Sequence, residues 1–233
     1  MRIWDINPGY LNRQSLLGEH RELHGIVSII VNKKKGYSRH PETLRWIGYG
    51  WALKMRHKML SCEMALRGYT DRTPVKTYSN KGKWPEIYID NPDCQFKLLK
   101  EKYTGKEQGR IPLPKKPQQL WSQHKYSVLA RNQNLYKRIG PDVSKNAMDF
   151  ASLALLLTEE LRQQPSEGGI KNAVQHMWGY VSDKSDKNSM NIKENDQIPN
   201  ADVYVMENGE ISLSGDAKDM LSNTDIQKAY LGI

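Results

Sequence analysis

Residues 11–30 read LNRQSLLGEHRELHGIVSII. Leu16, Leu17, Leu23, Ile26 and Val27 recur at spacings of three and four, the period of a helix that buries one stripe. Asn7-Pro8-Gly9 ahead of the stretch is a turn signal, and Lys33-Lys34-Lys35-Gly36 closes it with positive charge and a stop residue. A second helix is predicted from Pro41, with Leu44, Ile47, Trp51, Met55, Met59 and Met64 as apolar positions and Gly68 as its stop. The Met and Trp positions read as core rather than as a cofactor box.

Downstream the same period predicts three more helices. Trp121–Ile139 carries Trp121, Tyr126, Val128, Leu129, Leu135 and Tyr136 and stops at Gly140-Pro141. Lys145–Gln164 is rich in Leu, and Ile170–Val181 follows a turn at Pro165–Gly169. Between these groups, residues 70–118 are broken by Trp84-Pro85, Asn91-Pro92 and Ile111–Pro117, so an irregular region with short turns such as Gln95–Lys102 is expected. The expected fold class is mainly α: a helical domain over 1–140, additional helices packed on it over 141–182, a polar linker over 183–199, and a small hairpin–helix tail over 200–233. In that tail Val203, Val205, Ile211 and Leu213 alternate around Glu207-Asn208-Gly209, a hairpin signal. Asp216–Leu221 and Thr224–Tyr230 read as two short helices.

Composition narrows the function classes. Only 38% of residues are apolar, yet six Trp and twelve Tyr argue against disorder. The longest apolar stretches, Ile26–Val31 and Ala151–Leu157, fall far short of the ~20 residues that span a bilayer. The first residues form no apolar signal core, so a cytoplasmic protein is expected. Cys62 and Cys94 provide neither a disulfide framework nor a metal-ligand spacing, and His176, on an apolar helix, reads as a core histidine. Net charge is +9, unevenly spread: residues 1–140 hold 27 Lys and Arg against 11 Asp and Glu, and residues 141–233 hold 8 against 15. A block at +16 interleaved with Trp and Tyr suits nucleic acid. A basic surface that confers only solubility has the same composition.

One short stretch carries candidate chemistry. Glu19-His20-Arg21-Glu22-Leu23-His24 places Glu19 and Glu22 on one helix face and Arg21 where it can reach phosphate. A solvated charged face would look the same.

Arg2-Ile3 followed by Glu19-His20-Arg21-Glu22-Leu23 resembles the pyrimidine-dimer DNA glycosylase/endonuclease family, with 20 residues from the arginine to the second glutamate. Arg39-His40-Pro41, Arg45-Trp46, Gly48-Tyr49, Arg67-Gly68-Tyr69 and Gln123-His124-Lys125-Tyr126-Ser127 resemble the bacterial branch, extending the likeness over roughly residues 1–140. The resemblance implies double-stranded DNA carrying cyclobutane pyrimidine dimers as substrate, and glycosylase and AP-lyase activity without metal or organic cofactor. It assigns the nucleophile to the α-amine of Met1, and α-amines titrate near ~8, so part of the population is neutral at pH 7. It assigns Glu22 to stabilising the sugar cation and moving protons. The DNA contacts expected are Arg2, Arg13, His20, Arg21, Lys33, Lys34, Lys35, Arg39, Arg45, His124 and Lys125.

Two departures are visible. Met1 stands where the phage branch exposes a threonine, and Arg2 is too large for ordinary methionine excision; Gly25 stands where the family has another arginine. A non-catalytic DNA-binding protein of the same fold is the alternative. The protein is expected to be a monomer.

Two further likenesses bring no chemistry. His124–Gly140 with Asn172–Tyr180 resembles a helical bacterial domain of unknown function. Tyr204–Gly209 and Ala229–Gly232 resemble the end of branched-chain amino-acid ABC-transporter ATPases. No Gly-x4-Gly-Lys-Ser/Thr phosphate loop occurs in the chain, so ATPase activity does not follow. The tail could instead contact another protein.

Overall fold

Asn7 and Asn12 set the entry to the first helix. In the computed structural model the Asn7 Oδ1 accepts from Gly9 N–H at 2.8 Å and Pro8 starts a 3-10 turn, Pro8–Tyr10. Asn12 Oδ1 then accepts from Ser15 N–H at 2.9 Å and caps α1, Arg13–Val31. The structure describes residues 1–182, 202–207 and 210–216, with side chains through residue 177.

The buried stripe of α1 is Leu16, Glu19, Leu23 and Ile26, with Leu17 and Val27 half-buried at its margin. The long second helix is two. α2 spans Pro41–Trp46, with Pro41 in its first turn and the His40 ring accepting from Glu42 N–H; α3 spans Gly50–Leu66. The break falls at Gly48, whose φ of +86° only a residue without Cβ adopts readily. Gly50 opens α3 against a loop: its N–H donates to Ser79 Oγ at 2.9 Å and its carbonyl accepts from Thr77 Oγ1 at 2.7 Å.

The break also resets the buried face. Leu44 and Ile47, expected inside, are 51% and 54% exposed, and Trp51, Met55 and Met59 are half-buried. The positions of α3 that go inside are Ala52, Leu53, Arg56, His57, Leu60, Glu63 and Met64. A hydropathy period cannot find a face that carries two charges and a histidine, because those residues are buried only by virtue of partners.

α1 packs on α2 and α3, and the 3-10 turn on α3. The irregular region contains α4, Pro92–Lys102, one turn longer than Gln95–Lys102. Its Phe96 meets Tyr10 edge-on at 4.9 Å and Phe150 at 5.4 Å.

The predicted Trp121–Ile139 helix is α5, Pro117–Leu129, and α6, Gln133–Ser144. Asn132 caps α6 by accepting from Leu135 N–H at 3.0 Å, and the helix runs through Gly140-Pro141 instead of stopping there. Pro141 lies in the last turn, so the hydrogen bond it cannot donate is one near the end. α7 is Phe150–Glu160, shorter than expected because Asp149 caps it through Ser152 N–H at 2.9 Å. α8 is Glu167–Ser182, starting earlier than expected at the Ser166 cap. His176, expected in the core, is exposed on α8.

The chain divides into two units: Met1–Gln123 with Val143–Glu159, and His124–Asp142 with Glu160–Ile233. In the second, Leu129, Ala130 and Ala173 pack with Tyr126, Tyr136, Ile170 and Val174. Gly169 lets α8 approach the Ala130 carbonyl, where a Cβ would fall 2.0 Å from its oxygen. β1, Asp202–Glu207, pairs antiparallel with β2, Glu210–Asp216, setting Val205 opposite Leu213. The predicted linker, the turn at Asn208-Gly209 and the helix over 224–230 lie outside the described residues, as does nearly all of that over 216–221. No helix among the described residues is long and apolar enough to cross a membrane.

Candidate functional site

The first six residues lie along α1, held by side chains from α1, α2, α3 and α4. The backbone N–H of Arg2 donates to the Glu22 carboxylate, and that of Trp4 donates to the Glu19 carboxylate one turn earlier. The Ile6 carbonyl accepts from the Arg56 guanidinium at 2.8 Å. Asp5 receives the Arg45 guanidinium, its N–H donates to Gln95 Oε1 at 2.8 Å, and Gln95 Nε2 donates back to its carboxylate at 2.9 Å. Ile3, Trp4 and Ile6 are buried, and the Arg2 guanidinium pairs with Asp90 and stacks on the Trp4 ring at 4.7 Å.

Arg56 is the junction. Its Nε and second terminal nitrogen donate to the two Glu19 oxygens at 2.7 and 3.0 Å, while the remaining nitrogen holds Ile6. Arg56 is 1% and Glu19 2% exposed. Burial pushes the Glu19 carboxyl up, the Arg56 guanidinium pulls it down, and the bidentate geometry is that of an ion pair. Glu19 and Glu22 thus share a face, as their spacing predicts, and take different roles. Glu19 is an internal anchor, and Glu22 is half-buried beside the start of the chain. The arrangement sets the Glu22 carboxylate on the backbone N–H next to Met1.

The expected DNA contacts separate into groups. Arg13, Arg21, Lys33, Lys34, Lys35 and Arg39 are exposed, and Lys125 and Arg2 are half-buried. Arg45 is withdrawn: its side chain is 3% exposed and pairs with Asp5 and Glu42, so its charge is neutralised inside the domain. His124 is 3% exposed and is likewise no surface ligand. His20 turns away from Glu22 toward His24, His57 and Asp71. Gly25 has open space around it, so nothing in the packing prevents a longer side chain there.

Three residues of this region escape a reading of the sequence. Arg56 and His57 sit on the polar buried face of α3, and Asp71 follows that helix; no local pattern ties them to Glu19 or His20. The His20-x3-His24 spacing was the available signal, since two histidines one turn apart face the same neighbour.

No curated protein and no solved structure matches the chain. Residues 125–194 match a family described as "Protein of unknown function (DUF1722)", which takes in nearly all of His124–Gly140 and the whole of Asn172–Tyr180, the stretches that resemble a helical domain of unknown function. Neither family match reaches the tail. Residues 1–77, which hold Met1, Arg2, Glu22 and the Arg56 junction, match the family described as pyrimidine dimer DNA glycosylase, and that third of the chain is similar to those enzymes.

Proposed function

We propose that this protein is a DNA glycosylase with AP-lyase activity on cyclobutane pyrimidine dimers, with the α-amine of Met1 as nucleophile. The observation that carries this is the hydrogen bond from Arg2 N–H to the Glu22 carboxylate, which puts an acidic group beside the chain's first residue. The family match over residues 1–77 and the charge of +16 over residues 1–140 support it.

The neutral amine attacks C1′ of the damaged nucleotide. The glycosidic C–N bond breaks with its electron pair going to the base, and the amine gives up a proton. The sugar ring then opens at its oxygen to leave an imine between Met1 and C1′. Loss of a C2′ proton expels the 3′ phosphate oxygen and nicks the strand. Glu22 stabilises positive charge at the sugar in the first step and accepts protons in the later ones. A dimer lesion lowers the cost of extruding a nucleotide to reach C1′. The exposed Arg21, Arg13, Lys33, Lys34, Lys35 and Arg39 supply phosphate contacts.

Glu22→Gln keeps the side chain's size and an acceptor for Arg2 N–H while removing the charge. It lowers cleavage of a dimer-containing duplex by ~10²–10⁴-fold and leaves dimer binding intact. Cleavage at the wild-type rate would refute the role of Glu22.

A further inference from the structure

On the other side of α1 from Glu22, four side chains converge. His20 and His24 come from successive turns of α1, His57 from α3, and Asp71 from the segment that follows α3. One donor atom from each lies within 4.8 Å of all the others. His57 Nε2 is 3.1 Å from His24 Nε2 and 3.2 Å from Asp71 Oδ2, and His20 Nε2 is 3.4 Å from Asp71 Oδ1. Metal–ligand bonds of about 2.0–2.1 Å at tetrahedral angles set donor atoms about 3.3–3.4 Å apart. The His57–His24 and His57–Asp71 edges agree with that to within a few tenths of an ångström, and the His20 contact is to the other oxygen of the same carboxylate.

Hydrogen bonding alone does not account for the cluster. His20 Nε2 is buried and has no hydrogen-bond partner, although it points at the same centre as the other two rings. A buried imidazole nitrogen left unpaired is costly, and coordination would satisfy it.

We propose that His20, His24, His57 and Asp71 bind one zinc ion in tetrahedral coordination, fastening α1 to α3 and to the segment after it. Four protein ligands fill the coordination sphere, which makes this a structural site with no open position for catalysis. It does not depend on the glycosylase reading.

The surroundings suit a bound cation. Asp71 is oriented by Ser61 Oγ, which donates at 2.9 Å, and by the N–H and hydroxyl of Thr73, which donate at 2.9 and 2.6 Å. Such outer hydrogen bonds fix a ligating carboxylate. Burial pushes His57 down to about 4, with His24 and His20 adding to the effect and Asp71 opposing it. Burial and His20 also lower His24. Burial acts to raise Asp71, and the Thr73 and Ser61 hydrogen bonds outweigh it and hold the carboxyl well below its usual range.

The test uses the full chain. Metal content of the purified protein is measured first. The protein is then stripped with a chelator, dialysed and titrated with zinc chloride by calorimetry, and its melting temperature is followed. One zinc per chain and a melting temperature that rises on titration are expected. His57→Gln and Asp71→Asn should abolish the one-to-one event, and Thr73→Val, which leaves every ligand in place, should weaken it ~10–100-fold. Cys62→Ser with Cys94→Ser should leave it unchanged. Absence of heat and of any rise in melting temperature with the wild-type chain would overturn the proposal, whatever the variants do. So would a stoichiometry that survives His57→Gln and Asp71→Asn, since zinc would then reside elsewhere, for example at the exposed His176.

Discussion

Replacing Arg56 by methionine removes the residue that ties α1, α3 and the first six residues together, while keeping similar volume. The guanidinium makes three hydrogen bonds, at 2.7 and 3.0 Å to Glu19 and at 2.8 Å to the Ile6 carbonyl. Both charged partners are almost fully buried, so Arg56→Met leaves Glu19 as an uncompensated internal charge. Breaking a buried pair in this way costs about 3–5 kcal/mol. For a chain of this size that lowers the melting temperature by roughly 6–20 °C.

The loss should depend on pH in a definite direction. Burial already raises Glu19 from 4.5 to about 7 with Arg56 present. Without Arg56 the folded carboxyl holds its proton still more strongly, while the unfolded chain releases it near 4.5. A raised folded value means stability falls as pH rises above the unfolded one; wild type and variant fall in parallel from 4.5 to about 7, so the variant's deficit is level up to there and grows above it, toward pH 8. Thermal melts by circular dichroism across that range measure it. Arg56→Met with Glu19→Gln should recover much of the loss, because no charge remains buried. A single variant melting within ~2 °C of wild type at pH 8 would refute the reasoning, given ~2–4 °C per kcal/mol.

The remaining predictions concern the core and the DNA surface. Leu23→Ala, at a fully buried position of α1, should cost ~2–5 kcal/mol in a urea titration without changing the slope of the salt response. Affinity for duplex DNA should fall ~10³-fold between 50 and 200 mM salt if about six phosphates are neutralised, read by fluorescence anisotropy. Replacing Lys33, Lys34 and Lys35 together by alanine should reduce the log–log salt slope by ~0.9 for each phosphate these lysines neutralise. Arg45→Met, by contrast, should lower stability and leave that slope unchanged, because Arg45 is engaged with Asp5 and Glu42 inside the domain.

The parts of the fold legible in the sequence were those governed by local rules. Leu16, Leu23 and Ile26 marked the inner face of α1, and the carboxylates at Glu19 and Glu22 marked one side of it. What was not legible depends on partners distant in sequence. Arg45 read as a DNA contact because Arg45-Trp46 resembles a family segment in a basic block; Asp5, 40 residues away, together with Glu42 offsets the cost of burying it. His57 and Asp71 read as nothing in particular until α1 and α3 were side by side. Gly48 could have divided the second helix, but a glycine within a periodic stretch also fits a continuous one. Pro141 misled in the opposite sense: α6 runs through it although it cannot donate to the Lys137 carbonyl.

The most direct test of the proposed chemistry is reduction with borohydride in the presence of a duplex containing one thymine dimer, followed by mass spectrometry of the cross-linked peptide. A covalent adduct between Met1 and the sugar is predicted, absent from a protein whose α-amine has been acetylated. Tight binding to the dimer with no adduct, or an adduct on a lysine, would contradict the account.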